Sequence, residues 1–458
     1  MNINDTLRYL NIGLPQDILH HKEHGNFDEA IRLIDLRLQK DNIPQALRCC
    51  MIAQREIMCR LPGEYPYTRA EALALIRADI PDFTEEEFDT LRDNGRIYWL
   101  YVNGEMRYFR RFYDTLLKTE KEIAVRAGQV MPDNEKDTGK GMLSEAIQVM
   151  KAKGSLTKRI HIRHTIRLDD EHFTPGMLLR VHLPVAADCQ QQSEIRIEKV
   201  WPESGRVDPA DALQRTVFWE ETMDDNHEFG VEYSYLHKAV YHDTSLMKGE
   251  GEQPSFDTEE VAPHITFTPY IRELVNTLTE GVTDPMEKAR RFYDFFTLNT
   301  HYSFQPEYFV LENIPEGCAR NFTGDCGVLA LLFITLCRCA GIPAQWQSGN
   351  CAQPGDMGSH DWARFYVAPH GWLFADPSFG GGAVRRNNEE ERRFYFGNLD
   401  PFRMVANRAF QAPFLNDKQH WRADPYDNQS GEMETSDRCF RFDEFTYTKE
   451  VLECVTAD

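Results

Sequence analysis

Apolar residues recur at helical spacing through the first third of the chain. Ala30, Ile34 and Leu38 form one stripe, and Asn26 stands where a side chain can cap the start of a helix. This periodicity predicts that residues 1–155 form a mainly helical N-terminal region.

Three local signals add detail to this helical region. Thr84 and Glu87 have the spacing of a capping box at a helix start. Asn103-Gly104 stands between β-forming residues of the segment 97–109, which predicts a hairpin. The charged segment from Tyr113 to Ala127 predicts a single helix. None of these signals carries recognisable chemistry, so we interpret the region as a packing or substrate-framing module.

From about residue 156, apolar residues recur at every second position. Ile160 to Leu168 alternates between apolar and polar positions, which is typical of a half-buried strand. Further short β-like runs follow at Leu178–Leu183, Ile195–Val200, Thr216–Trp219 and Phe229–Tyr235. They predict a β-rich, sandwich-like domain over residues 156–245. Residues 246–262 are polar and rich in Gly, Glu and Pro, which indicates a linker or an exposed loop.

The most apolar helical segment runs from Val328 to Ala340. It is apolar on nearly all faces, so the predicted helix is buried, and Gly341 suits the position just past its end. Cys326 then lies at the helix N-terminus, where unpaired N–H groups and the helix dipole favour a thiolate. Gly324 and Gly327 leave room for a substrate backbone close to the sulfur.

Two alternating runs joined by a turn follow this helix. His360 opens the first run, and Asp376 ends the second. Because an antiparallel hairpin brings its two open ends side by side, we expect the imidazole next to the carboxylate. Packing of the hairpin on the helix would bring both groups to Cys326, which gives the nucleophile, base and orienting group of covalent catalysis. The alternative is an ordinary buried cysteine with two strand-end polar residues.

These motifs together resemble the transglutaminase-like superfamily of papain-type cysteine enzymes. The matching pieces stand in the family's order, as Gly324-Asp325-Cys326, Gly341-Ile342-Pro343-Ala344, His360-Asp361-Trp362 and Asp376-Pro377. Tyr302 is similar to the family's upstream aromatic residue. The segments 395–398 and 400–403 are similar to those that follow the core in large bacterial members.

The resemblance implies an α+β fold with a cysteine-bearing helix packed on an antiparallel sheet. This catalytic domain would cover residues 263–415, after the helical region, the β-rich domain and the linker. Residues 416–458 would form a C-terminal extension, in which Phe445 to Thr448 predicts an added strand.

The resemblance also implies a role for each site residue. Cys326 would be the nucleophile, His360 the general base and acid, and Asp376 the orienting carboxylate. The side chains of Tyr302 and Gln305 are candidates for completing the oxyanion hole beside the backbone N–H of Cys326. Trp362 is a candidate for framing the substrate. Asp361 stands where the family often has a small residue, and we expect its side chain to point away from His360.

Such a triad forms a thioester acyl-enzyme from a peptide-type amide but leaves the acyl acceptor open. Water as acceptor gives a protease or amidase, and an amine gives a protein-glutamine acyltransferase. We favour hydrolysis of a peptide or a related amide. The alternative function is a non-catalytic protein-interaction module that retains the fold.

The composition of the chain limits the classes of binding partner that we expect. The chain has 73 acidic and 51 basic residues, a formal charge of −22, which disfavours nucleic acids and anionic membrane surfaces as partners. It has no long apolar stretch, no secretory signal pattern near Met1 and 11 cysteines without a C-x-x-C pair. We therefore expect a reduced, cytoplasmic protein that acts on a peptide, a protein or another amide without a cofactor.

Three further patterns are interpreted as structural. The first two of the histidines 161, 164 and 182 are three residues apart, which on a strand places them on opposite faces, so we expect no metal site there. The cysteines 337, 339 and 351 could form a thiol cluster or metal site, but we interpret them as core residues. Gly380–Gly382 lacks the spacing of a phosphate loop and predicts a flexible loop beside the site.

Overall fold

The computed structural model describes residues 2–129 and 138–457, with the side chains of residues 138–140 left aside. Three 3₁₀ helices cover Ile3–Ile12, Asp170–His172 and Tyr308–Val310. The α-helices of the described residues are α1 (Gln16–Glu23), α2 (Phe27–Leu38), α3 (Gln45–Glu64), α4 (Arg69–Asp79), α5 (Glu85–Asp93), α6 (Phe112–Thr119), α7 (Lys121–Arg126), α8 (Thr138–Lys153), α9 (Pro269–Leu278), α10 (Pro285–Asn299), α11 (Ile314–Asn321), α12 (Cys326–Cys339), α13 (Pro377–Arg385) and α14 (Glu389–Phe394).

The strands follow the same chain order. They are β1 (Trp99–Val102), β2 (Glu105–Tyr108), β3 (Ser155–Leu168), β4 (Met177–Pro184), β5 (Gln192–Trp201), β6 (Arg206–Val207), β7 (Thr216–Met223), β8 (Phe229–Val240), β9 (His301–Tyr302), β10 (Thr323–Gly324), β11 (Ala344–Gln353), β12 (Asp356–Val367), β13 (Gly371–Ala375), β14 (Phe396–Gly397), β15 (Arg403–Asn407), β16 (Glu432–Glu434) and β17 (Phe445–Ala457).

Several local predictions for the N-terminal region agree with the structure. Thr84 and Glu87 form the expected capping box before α5, and Asn103 and Gly104 turn the β1–β2 hairpin with positive φ angles of 49° and 92°. Helix α2 begins directly after Asn26, although that side chain makes no capping hydrogen bond. The single helix predicted from Tyr113 to Ala127 is wrong, because Glu120 adopts φ −106° and ψ 96° and separates α6 from α7.

The chain divides into two compact units. The first unit comprises Met1–Asn134, Val261–Thr266 and His301–Asp325, and the second comprises Glu135–Glu260, Phe267–Thr300 and Cys326–Asp458. Within the first unit, one apolar cluster joins α4, α5 and α6 to the β-hairpin, with Phe88 and Phe112 at its centre. A second cluster joins α1, α2 and α3 and buries the predicted stripe of α2 through Ala30 and Ile34.

The second unit holds two four-stranded sheets, ordered β16-β4-β7-β6 and β17-β3-β8-β5. Their inward side chains form one apolar cluster that includes Ile162, Val181 and Tyr233. The C-terminal strand β17 begins at Phe445 and pairs along almost the whole of β3. The β-rich region therefore shares a core with chain segments that lie more than 200 residues away in the sequence.

The same unit contains a five-stranded antiparallel sheet, ordered β14-β13-β12-β11-β15. Helix α12 packs on it, with Phe333 in edge-to-face contact with Phe365 of β12. Gly349 lies where β11 pairs with β15, and a Cβ atom there would come within 2.0 Å of the Met404 carbonyl oxygen. The fold is thus α+β, with an apolar helix on an antiparallel sheet.

The flexible loop predicted around Gly380–Gly382 is a helix in the structure. These glycines lie in α13, which packs against α10. A Cβ atom at Gly380 would come within 2.0 Å of the Tyr293 hydroxyl oxygen, so the close approach of two helices requires a glycine there. The prediction failed because this requirement comes from α10, about 90 residues earlier in the chain.

Candidate functional site

Cys326 is the first residue of helix α12 and is half-buried. The helix is buried from Gly327 to Arg338, and Gly341 ends it with φ +77°. The N–H of Ile342 donates to the carbonyl oxygen of Cys337, as in the hydrogen-bonded turn that closes many helices. The thiol therefore lies at the N-terminus of a buried helix, where the helix dipole stabilises negative charge.

His360 and Asp376 form a buried hydrogen-bonded pair. The Nε2 atom of His360 lies 2.7 Å from Oδ2 of Asp376, and the two residues are 5% and 0% exposed. The other carboxylate oxygen of Asp376 accepts a 2.9 Å hydrogen bond from the Phe379 N–H and caps α13. The carboxylate thus holds the imidazole by Nε2, which leaves Nδ1 as the nitrogen for a reacting group.

Arg403 is a fully buried cation beside this pair, and its role was not predicted from the sequence. Its Nη1 atom lies 2.9 Å from Asp376 Oδ2, and its Nε and Nη2 atoms donate to Asp400 at 2.9 and 2.6 Å. Its guanidinium carbon lies 4.3 Å from the centre of the Phe379 ring. The segment Asp400-Pro401-Phe402-Arg403 was the only signal, since it resembles a stretch that follows the core in large bacterial members.

The electrostatics of the pair follow from burial and from Arg403. Burial raises the pKa of the Asp376 carboxyl, but attraction to His360 and Arg403 outweighs burial, so the net pKa is below its usual value. Burial lowers the pKa of His360 below its usual value, although Asp376 offsets part of this effect. A neutral imidazole beside an ionised carboxylate is the resting state that a general base requires.

The Cys326 thiol has a carboxylate neighbour that the sequence did not predict. Its Sγ atom donates to Oδ2 of Asp361 at 3.3 Å. The side-chain nitrogen of Gln429 donates to Asp361 Oδ1 at 2.6 Å and to the His360 carbonyl oxygen at 3.2 Å. Asp361 directly follows His360 on β12, so the Cys326 sulfur contacts the residue next to the one that carries the imidazole.

Comparison with known proteins agrees with the fold of this region. Residues 272–377 match the sequence model of the transglutaminase-like superfamily. This segment contains Cys326, His360 and Asp376. No curated protein matches the sequence of the chain.

Three solved structures are similar to the chain at low identity. A protein from Cytophaga hutchinsonii, provisionally named a cysteine protease, has 16% identity and a TM-score of 0.42 over 66% of this chain and 91% of its own. The periplasmic domain of TgpA from Pseudomonas aeruginosa has 13% identity and a TM-score of 0.28 over 54% and 96%. A provisionally named protease from Parabacteroides distasonis has 10% identity and a TM-score of 0.21 over 48% and 63%.

The other predicted site residues of the transglutaminase-like core have defined positions. Trp362 is fully buried, and its Nε1 atom donates to the side-chain oxygen of Gln347 at 2.9 Å. Gly327 is buried in the first turn of α12. Tyr302 pairs with Gly324 in the two-stranded β9–β10 sheet of the first unit. These observations leave their substrate-framing roles as predictions.

Gln305 also lies in the first unit of the chain. Its side-chain nitrogen donates to the Tyr98 hydroxyl at 3.2 Å and to the Ser303 carbonyl oxygen at 3.0 Å. An amide donates two hydrogens, so both are already used within this unit. The oxyanion-hole role of Gln305 stays a prediction.

Most of the remaining cysteines are buried or half-buried, and the two histidines His164 and His182 are buried, as structural residues usually are. Burial raises the pKa of seven cysteines, namely Cys50, Cys189, Cys318, Cys337, Cys339, Cys351 and Cys454. Burial lowers the pKa of His164 and His182, which are fully buried and therefore neutral. In the part of the chain that the structure describes, we find no cluster of three metal-binding side chains and no helix that is long and apolar enough to cross a membrane.

Proposed function

We propose that the protein is a cysteine-dependent enzyme that cleaves a peptide-type amide through a thioester acyl-enzyme. Nδ1 of His360 takes the proton of the Cys326 thiol while the sulfur attacks the carbonyl carbon. The imidazolium then gives that proton to the leaving amine, and water resolves the thioester to a free acid. Asp376 holds the imidazole in the required tautomer and stabilises its cation.

The buried hydrogen bond between His360 and Asp376 is the observation that carries this proposal. A carboxylate with an ionic partner and a capping N–H is held in one orientation, and it fixes the imidazole in turn. Cys326 lies at a helix N-terminus and contacts the residue that follows His360 on β12. A binding module has no need of this arrangement, which supports catalysis over a non-catalytic interaction role.

Selective alkylation of Cys326 tests the proposal without a known substrate. Treatment of the folded protein with iodoacetamide at about pH 6 should modify Cys326 before the other ten cysteines, because the helix N-terminus and the His360 imidazole, which can accept the thiol proton, make its sulfur the most nucleophilic. Cys59 is exposed and therefore competes with Cys326 for the reagent. It does not stand at a helix N-terminus, so its accessibility alone should not make it react first. Mass mapping of the alkylated peptides over time gives the order of reaction.

The His360→Ala variant is the control for this measurement. It should slow the alkylation of Cys326 at pH 6 and leave the rate at Cys59 unchanged. Faster reaction at Cys59 in the wild-type protein, or a Cys326 rate that is unaffected by His360→Ala, would refute the proposed nucleophile and favour the interaction-module alternative.

The pH dependence of amide cleavage gives a separate prediction. Burial penalises the imidazolium and lowers the pKa of His360, so the base form persists to lower pH than in a free histidine. The acid limb of kcat/KM should therefore lie below pH 6.5, the usual pKa of histidine. Fluorogenic peptide amides, selected from a library with the wild-type protein, provide the assay. An acid limb above pH 6.5 would show that His360 does not act as the neutral base.

The acyl acceptor can be determined with the same substrates. Cleavage in the presence of a millimolar primary amine should release mainly the free acid if water is the acceptor. Mainly amide product, detected by mass spectrometry, would assign amine transfer instead.

A further inference from the structure

Asp361 belongs to a buried polar cluster that reaches from the thiol to the C-terminal strand. Gln429 donates to its carboxylate, and the side chain of Asp427 lies beside both Asp361 and Ser348. On the same side, Lys449 of β17 donates to Asn350 at 2.8 Å and to Ser359 at 2.7 Å. The groups of this cluster come from β11, β12, β17 and the segment before β16.

Asp361 and Asp427 are neighbouring buried carboxyl groups. Burial raises the pKa of Asp427, and the nearby Ser348 hydroxyl together with attraction to Arg422 and Lys449 offsets only part of that effect. Within this pair, Asp361 accepts hydrogen bonds from the Gln429 side chain and from the Cys326 thiol, an arrangement that favours its ionised form. Asp361 Oδ2 is the oxygen of this pair that contacts Cys326 Sγ, at 3.3 Å.

A negative charge at this distance acts against ionisation of the thiol. The helix N-terminus and His360 favour a thiolate, whereas the carboxylate favours the neutral S–H group that donates to it. Asp424 lies close enough to interact with Asp427, and Arg422 and Lys449 are cations that attract the Asp427 carboxyl group. Burial lowers the pKa of Lys449 to about 7, so this lysine compensates the charge of the pair only in part at neutral pH.

We propose that Asp361, held by Gln429 and Asp427, is a positioning residue that keeps the resting Cys326 side chain protonated by accepting its hydrogen bond. The proposal rests on the proposed function, because it concerns the same nucleophile. It gives a role to the residue at which the sequence departs from the small residue that is common in the family. It also gives the C-terminal extension, through Gln429 and Asp427, a direct influence on the nucleophile.

The pH profile of Cys326 alkylation by iodoacetamide tests this role in the full chain. The isosteric change Asp361→Asn removes the charge next to the sulfur. The apparent pKa of Cys326 should fall by about one unit in this variant. Alkylation should then be about tenfold faster than in the wild-type protein, at pH values below the Cys326 pKa of both proteins. An unchanged profile, or one that moves to higher pH, would overturn the proposal.

Asp427→Asn is the matched control, because it is the same substitution in the same buried cluster. It leaves the negative charge on Asp361, so the profile should stay in place or move to higher pH. A general disturbance of the cluster would move both variants in the same direction, and an equal fall in the apparent pKa in both would overturn the role of Asp361.

The wild-type protein separates this inference from the proposed function. If Cys326 reacts faster than Cys59 and depends on His360, the proposed function stands whatever the two asparagine variants do. If Cys326 is inert in the wild-type protein and in Asp361→Asn, both proposals fail together.

Discussion

Asp376→Asn is expected to lower kcat/KM on a peptide amide by about two to four orders of magnitude. The carboxylate accepts a hydrogen bond from Nε2 of His360, whereas the amide group of asparagine can present an N–H there instead. That exchange would move the imidazole proton to Nδ1, the nitrogen that must be free to take the thiol proton. Asparagine can still accept from the Phe379 N–H, so the cap of α13 should survive.

Two further variants distinguish loss of chemistry from loss of structure. His360→Ala should reduce kcat/KM at least as much, and the double variant should be no worse than the more damaging single one, because the residues act as a unit. Asp356→Asn, an exposed aspartate at the start of β12, should leave kcat/KM unchanged. Near-normal turnover by Asp376→Asn would leave Asp376 as a helix cap and reduce the site to a cysteine–histidine pair.

Arg403→Met is expected to destabilise the second unit by about 3–5 kcal/mol. The side chain is fully buried, and it forms ion pairs with two fully buried carboxylates, those of Asp376 and Asp400. Methionine has a similar length but no charge, so both carboxylates would stay in the interior without their cation. Hydrogen exchange, measured by mass spectrometry on peptides of β11, β12 and β15, reports the local free energy of opening.

Arg393→Met is the matched control on the protein surface. Its side chain is 73% exposed and forms an ion pair with Glu389, so the change should cost less than about 1 kcal/mol. Combining Arg403→Met with Asp400→Asn should recover part of the stability, since one of the two unpaired charges is then removed. Equal costs for the buried and the exposed arginine would show that Arg403 does not neutralise the carboxylates.

The sequence by itself determined the local parts of this site. Helix α12 follows from its apolar run and from Gly341, and both signals act between residues a few positions apart. His360 and Asp376 meet because a hairpin must return to its starting end, which the turn between their strands already indicates. The match to the transglutaminase-like superfamily covers residues 272–377, the segment that contains these motifs.

The tertiary structure alone decided which groups surround these residues. Arg403 reaches Asp376 from the opposite edge of the five-stranded sheet, and Gln429 reaches Asp361 from a segment 68 residues away. Helix α13 forms where the glycines predicted a loop, and Gly380 is a glycine because the surface of α10 leaves no room for a side chain there. Such contacts depend on the packing of distant elements, whereas the periodicity of a sequence reports only on neighbours within one turn or one hairpin.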